Sequence, residues 1–199
     1  MLRPLLIALL PVTAHAACPT PADLEGAGIW VRSDDGAITH YVRTSPDMVA
    51  ETTMYDANEG YWLESYRGLY VTADQDIQNG GRVEGTLTRS TYPGGVASLP
   101  QPEPGARWSG PVTDTNADGT DVQKFSVAFG EVQEVKIGPC TYQGIPADTV
   151  FHEEGGGGTT GRLVYLPDLS ISLFIASGSV GAFYSDYYQI TEISNAPLP

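Results

Sequence analysis

An alternating run of oxygen-bearing side chains at residues 114–121 is the strongest chemical pattern in the sequence. It reads Asp-Thr-Asn-Ala-Asp-Gly-Thr-Asp and reproduces the D-x-N-x-D-G spacing in which carboxylate and amide oxygens wrap a calcium ion. The candidate ligands of a weak structural calcium are Asp114, Asn116, Asp118 and Asp121. A full EF-hand loop would have a bidentate Glu where Phe125 stands, and helices on both sides. The flanking residues are typical of strands, which favours the alternative, an ordinary polar hairpin turn.

The other residues that could do chemistry form incomplete patterns. The glycine-rich run at 155–161 lacks the Gly-Lys-Ser/Thr ending of a phosphate loop, and His40 and His152 lack metal-ligand spacing. Carboxylate pairs such as Asp34 and Asp35 could serve glycoside hydrolysis. Chance pairs are expected among 24 acidic residues, however. The sequence therefore predicts no catalytic residue and no cofactor other than the calcium.

Three tyrosines near the C-terminus, Tyr184, Tyr187 and Tyr188, are a candidate binding face. Aromatic side chains on strands can line a sugar- or lipid-binding surface. They also form ordinary cross-strand pairs, which is the structural alternative.

The two cysteines, Cys18 and Cys140, are predicted to form a disulfide, because an even pair in an oxidising compartment is most simply bonded. Lipidation of Cys18 is the competing interpretation. The preceding residues, from His15 to Ala17, place a polar imidazole where a lipobox has an aliphatic residue, which favours the disulfide.

Residues 1–16 have the features of a secretory signal peptide. Arg3 supplies the positive charge, residues 5–10 form a short apolar run, and Ala14-His15-Ala16 is a cleavage signal just before Ala17. The mature protein is expected in the periplasm or secreted. No later stretch approaches the roughly 18 apolar residues that a membrane helix needs, so the mature chain is predicted to have no transmembrane segment.

The charge balance limits the possible partners. The chain carries 24 acidic against 10 basic residues and a net charge of −14. Such a charge repels phosphate backbones and anionic membrane surfaces, which excludes nucleic acid as a partner. An unidentified ligand or envelope protein is the expected partner.

The rest of the sequence predicts an all-β protein with one short N-terminal helical turn at residues 20–25, where a capping Thr precedes Pro. Short segments are predicted as strands, for example 29–32, 49–55, 83–89 and 169–176, the last with alternating apolar residues, and turn signals separate them every 8–12 residues. This spacing indicates an antiparallel meander that forms a curved sheet, a half-barrel or a sandwich. A Pro/Gly-rich linker or loop at 93–105 divides the mature chain into residues 17–92 and 106–195, either two subdomains or one shared domain.

Residues 120–193 resemble uncharacterised exported β-rich proteins of alphaproteobacteria. The resemblance rests on Gly-Pro-Cys-Thr-Tyr at 138–142 and on the strand at 161–169 with its Tyr-Leu-Pro-Asp-Leu ending. It implies a curved antiparallel sheet and no catalytic residue. The favoured hypothesis is a non-catalytic periplasmic protein that binds a ligand or partner on one sheet face or in the concavity of the sheet. The alternative is a carboxylate-dependent hydrolase acting on envelope glycans.

Overall fold

The computed structural model describes residues 17–153, 155–182 and 184–199. The predicted signal peptide, residues 1–16, lies outside the described residues. Within them the chain forms one short α-helix, α1 (Pro21–Glu25), one 3₁₀ turn (Val96–Ser98) and fifteen strands. The all-β class with a short N-terminal helical turn is therefore confirmed.

The strands fall into two groups along the chain. Those before the Pro/Gly-rich segment are β1 (Ile29–Ser33), β2 (Ile38–Ser45), β3 (Met48–Met54), β4 (Gly60–Tyr66), β5 (Tyr70–Gln78), β6 (Gly81–Arg82) and β7 (Thr88–Thr91). Those after it are β8 (Arg107–Asn116), β9 (Gly119–Phe129), β10 (Gln133–Ile137), β11 (Cys140–His152), β12 (Gly158–Leu166), β13 (Ile171–Ser179), β14 (Tyr184–Tyr187) and β15 (Ile190–Ser194).

Thirteen of these strands follow one another in a single antiparallel sheet, in the order β14-β13-β12-β11-β9-β8-β7-β5-β4-β3-β2-β1-β15. β6 pairs only with β5, and β10 only with β11. β7 and β8, which flank the Pro/Gly-rich segment, pair directly, so strands from both halves of the chain share the sheet. β14 and β15 are consecutive in the chain but stand at opposite ends of the sheet order.

The sheet curves so that its two halves face each other. The phenol of Tyr41 on β2 donates a hydrogen bond to the carbonyl oxygen of Ser172 on β13. Gly68, in the turn between β4 and β5, lies so close to Ser170 that a Cβ at this position would collide with the Ser170 carbonyl. With a φ of 66°, this turn position also favours glycine over other residues.

Two apolar clusters hold the curved sheet together. One joins Leu24 of α1 and Ile29 of β1 to Leu173 of β13. The other joins Tyr70 of β5 to Phe125 of β9, together with neighbouring strands. These side chains lie at alternating strand positions, so one face of the sheet is buried while the other remains partly exposed.

Cys18 and Cys140 form the predicted disulfide, with their Cα atoms 5.5 Å apart. The bond connects the segment before α1 to the first residue of β11. Nearby, the phenol of Tyr142 donates a hydrogen bond to the carbonyl of Pro19, in the same segment. The disulfide and this hydrogen bond both connect the N-terminal segment to β11.

The strand predicted at residues 83–89 is wrong in part. Strand pairing with β5 stops after Arg82 and resumes at Thr88. The residues between form a turn, in which the backbone N–H of Thr86 donates a hydrogen bond to the carbonyl of Val83. Gly85, with a φ of 88°, provides the backbone conformation that this turn needs.

Candidate functional site

The concave side of the sheet encloses a cavity of about 450 Å³. Side chains from both halves of the sheet line it, and most of them are apolar or aromatic. Among them are Val31, Tyr41, Tyr61, Leu63, Phe125, Phe151, Leu163 and Phe174.

One end of the cavity is closed and the other is open. Tyr41, Ser65 and Ser172 are buried at the closed end, where Tyr41 bonds across to β13. At the other end Tyr55 is 59% exposed and Phe174 is 42% exposed, although both line the cavity. A ligand would therefore enter beside these two rings.

Glu51 places a carboxyl group inside this cavity. On β3 it pairs with Tyr41 of β2 on one side and with Leu63 of β4 on the other. All three residues line the cavity, so they form one row across the concave face. This row belongs to the closed end, since it contains Tyr41.

The environment of Glu51 disfavours its charged form. Burial raises the pKa of this carboxyl to about 8, from a usual value of 4.5. Glu51 retains intermediate surface exposure, because the carboxyl faces the cavity. Within the described part of the chain no ion pair involves Glu51, and no Lys, Arg or His lines the cavity.

Two tyrosines beside Glu51 stay neutral at physiological pH. Burial, reinforced by the negative charge of Glu51, raises the pKa of Tyr41 and that of Tyr61 well above 10. Their phenols can therefore donate and accept hydrogen bonds, and their rings present aromatic surface to a ligand.

The three tyrosines predicted as a binding face are divided between two environments. Tyr184 donates a hydrogen bond to Asp148, away from the cavity, and its ring packs against Arg162. Tyr187 contacts Tyr184 edge-on and is 69% exposed. Tyr188 instead lines the cavity and contacts Phe174. The structure therefore brings only one of the three to the cavity.

The four candidate calcium ligands lie at the hairpin between β8 and β9, far along the sheet from β3. The Asn116 side-chain oxygen accepts hydrogen bonds from the backbone N–H groups of Asp118 and Gly119, at 2.9 and 3.2 Å. Asp114 pairs across the hairpin with Asp121 and accepts a hydrogen bond from Ser90. Among the residues that the structure describes, no group of three or more His, Cys, Asp or Glu is arranged to hold a metal ion. The calcium site stays a prediction.

Asp74 lies beside this hairpin and lines a second, shallow depression with the same acidic residues. Burial, together with the charges of Asp114 and Asp76, raises its pKa to about 6. Burial is the larger cause of the shift, and repulsion from the neighbouring carboxylates adds to it.

Sequence reasoning missed Glu51. Residues 49–55 were correctly predicted as a strand, but Glu51 is one of 24 acidic residues and no motif surrounds it. The one available signal was its position in the strand. Glu51 is two residues from Val49 and two from Thr53, and such residues share a face of a strand. That signal does not say which face is concave.

Comparison with known proteins gives only remote likenesses. No family model matches the chain, and no curated protein matches it. Among solved structures it is similar to the hypothetical lipoprotein YmcC from Escherichia coli, with 9% identity and a TM-score of 0.42 over 86% of this chain and 84% of that chain. It is also similar to a protein from Bacteroides fragilis described as exported and as having a YmcC-like fold. That likeness has 11% identity and a TM-score of 0.35, and it covers 84% of this chain and 92% of that chain.

No helix among the described residues is long and apolar enough to cross a bilayer.

Proposed function

We propose that this protein is a non-catalytic periplasmic binding protein that holds a small, mainly apolar ligand in the cavity of its curved sheet. The observation that carries the proposal is the cavity itself. Its volume of about 450 Å³ lies within the range of small-molecule sites, and apolar walls with a few polar groups are typical of them.

The shape of the cavity supports binding of a whole small molecule. One end is closed by the Tyr41–Ser172 hydrogen bond, and the exposed rings of Tyr55 and Phe174 mark a route of entry at the other end. An apolar ligand that enters there exchanges water for aromatic and aliphatic contacts. Burial of apolar surface contributes roughly 25 cal/mol per Å² before the entropic cost of binding is deducted.

The alternative function, hydrolysis of envelope glycans, would need two carboxylates that flank one bond. Glu51 and Asp35 both line the cavity, but only Glu51 lies on a strand of the concave face. Asp35 lies in the exposed turn between β1 and β2, where its carboxylate accepts hydrogen bonds from the Ser33 hydroxyl and the Ala37 N–H. A catalytic pair needs both carboxylates directed at one bond, so the engagement of Asp35 within its own turn favours binding over hydrolysis.

A displacement assay with a neutral fluorescent apolar dye, such as N-phenyl-1-naphthylamine, and with decanol as competitor tests the proposal. The variant Leu63→Trp replaces an aliphatic side chain with a larger indole ring that fills part of the cavity, and it is expected to abolish decanol binding. Val122→Trp is the matched control, because it adds the same ring on the β8–β9 hairpin, where Val122 is 54% exposed.

Unchanged decanol binding in a folded Leu63→Trp variant would contradict the proposal. Native mass spectrometry of protein purified from the periplasm provides an independent readout. A copurifying small molecule that is present in wild type and missing from Leu63→Trp would support the cavity as the binding site.

A further inference from the structure

We infer that the cavity selects a cationic amphiphile, an alkyl or aryl chain carrying an ammonium group, and that the Glu51 carboxylate binds the ammonium. This inference rests on the proposed function and specifies its ligand. It is carried by the position of one carboxyl group at the closed end of a mainly apolar cavity.

Glu51 has no internal counter-ion in the described structure. The basic groups of Arg32, Arg43, Lys136 and Arg162 form ion pairs with other carboxylates. A buried carboxylate without a partner is destabilising, and a cation that enters the cavity would remove that penalty. A cation that complements the ionised form of Glu51 would therefore come from outside the described part of the chain.

The rest of the lining favours a cation over an anion. It contains two acidic residues, Glu51 at the closed end and Asp35 near the opening, and no basic residue among those described. The aromatic rings of Tyr41 and Tyr61 lie beside Glu51, and a ring face attracts an ammonium group. A fatty acid would instead bring its negative charge against Glu51.

A neutral ligand would leave the carboxyl without a specific role. The cavity already has a hydroxyl group that can hydrogen-bond to an alcohol or an amide, on Ser172, since this hydroxyl has no hydrogen-bond partner in the described structure. The property that Glu51 adds at the closed end is its capacity to become negatively charged. That property discriminates ligands by charge and not by hydrogen bonding.

Three ligands with the same alkyl chain and different head groups test the inference: decylamine, decanol and decanoate. Isothermal titration calorimetry at pH 8 on the intact mature protein gives their dissociation constants. We expect decylamine to bind about 10- to 100-fold more tightly than decanol, as for a charge-assisted hydrogen bond, and decanoate to bind most weakly.

The variant Glu51→Gln keeps the shape of the side chain and removes its charge. It is expected to lose the preference for decylamine and to bind decanol as wild type does. Glu131→Gln is the matched control, since Glu131 lies on an exposed loop outside the cavity, and it should keep the preference.

The possible failures are distinguishable. Equal binding of decylamine and decanol to wild type, or a preference that persists in Glu51→Gln, would overturn the inference and leave the proposed function intact. Tightest binding of decanoate would also overturn it. If none of the three ligands binds wild type, the proposed function fails together with the inference.

Discussion

The phenol of Tyr41 donates a hydrogen bond of 3.0 Å to the carbonyl oxygen of Ser172, a residue 131 positions later in the chain. The bond joins β2 to β13 across the interior of the curved sheet, and both residues are buried. Because Glu51 is the cross-strand neighbour of Tyr41, the bond also closes the cavity beside the buried carboxyl.

Removing this bond should weaken both the fold and the closed end of the cavity. Tyr41→Phe keeps the ring but leaves the Ser172 carbonyl without this donor, so we expect a loss of about 1–3 kcal/mol in the free energy of unfolding, measured by urea denaturation. Tyr187→Phe is the control, because Tyr187 is largely exposed, and it should change the free energy by less than about 0.5 kcal/mol. Equal stability of the two variants would show that the bond contributes nothing.

The pKa of Glu51 makes stability depend on pH in a defined direction. The folded-state pKa of about 8 lies above the usual 4.5, so the unfolded chain releases this proton first as pH rises. The contribution of Glu51 to stability is therefore fully present below about pH 4.5 and is lost progressively up to about pH 8. At pH 7 this loss amounts to up to about 3 kcal/mol.

Glu51→Gln removes this titration. The free energy of unfolding of the variant, relative to wild type, should increase by up to about 3 kcal/mol between pH 4.5 and pH 7, and further up to about pH 8. Other groups titrate in both proteins and cancel in the difference. Urea denaturation at several pH values measures it, with Glu131→Gln as the control that follows wild type. A difference that does not vary with pH would show that Glu51 titrates normally.

The affinity for a permanently charged cation should increase with pH, whereas the contribution of Glu51 to stability decreases. The affinity for decyltrimethylammonium is expected to rise as Glu51 ionises, and to reach a plateau above about pH 8. The titratable neighbours Tyr41 and Tyr61 stay neutral in this range, while Asp35 near the opening is the other acidic group that faces the cavity. Calorimetry from pH 6 to pH 9 gives the profile, which should be flat in Glu51→Gln. A flat profile in wild type would contradict the assignment of the ammonium to Glu51.

The sequence predicted local structure better than it predicted the site. Alternation and turn residues are local, so the helical turn at 20–25 and most strands followed from them, and the pairing of Cys18 with Cys140 followed from there being two cysteines. The cavity depends on which strands face each other across the curve, a non-local relationship that no short pattern encodes. Tyr188 and Glu51 share the cavity, although 137 positions separate them in the chain.

The calcium motif shows the same limit. The spacing at 114–121 fits both a calcium loop and a hairpin, and the two differ in what the Asn116 oxygen contacts. In the structure that oxygen accepts two backbone hydrogen bonds of its own turn, an arrangement typical of a hairpin. The backbone conformation of this segment distinguishes a calcium loop from a hairpin, and it depends on how β8 pairs with β9.

If the segment is an ordinary hairpin, the alternative to the predicted calcium site, calcium is expected to leave the stability of the protein unchanged. The melting temperature, measured by differential scanning calorimetry, should be the same in calcium chloride and in EDTA. Magnesium chloride at equal ionic strength controls for general screening of the acidic surface. A saturable increase specific to calcium, and lost in Asp118→Asn, would instead establish the ion site that the sequence motif suggested.

The disulfide should contribute more to stability than any other single bond in the structure. Cys18 and Cys140 are 122 positions apart, and closing a loop of that length stabilises a fold by up to about 5 kcal/mol in the chain-entropy model. The double variant Cys18→Ser/Cys140→Ser should lose much of that amount in urea denaturation. The hydrogen bond from Tyr142 to Pro19 remains in the variant, so α1 is expected to stay docked at low urea.

Dithiothreitol should reduce the stability of wild type towards that of the double variant and leave the variant unaffected. A wild-type protein that loses no stability on confirmed reduction would show that the packing of α1 and the Tyr142–Pro19 hydrogen bond hold the N-terminal segment without the disulfide.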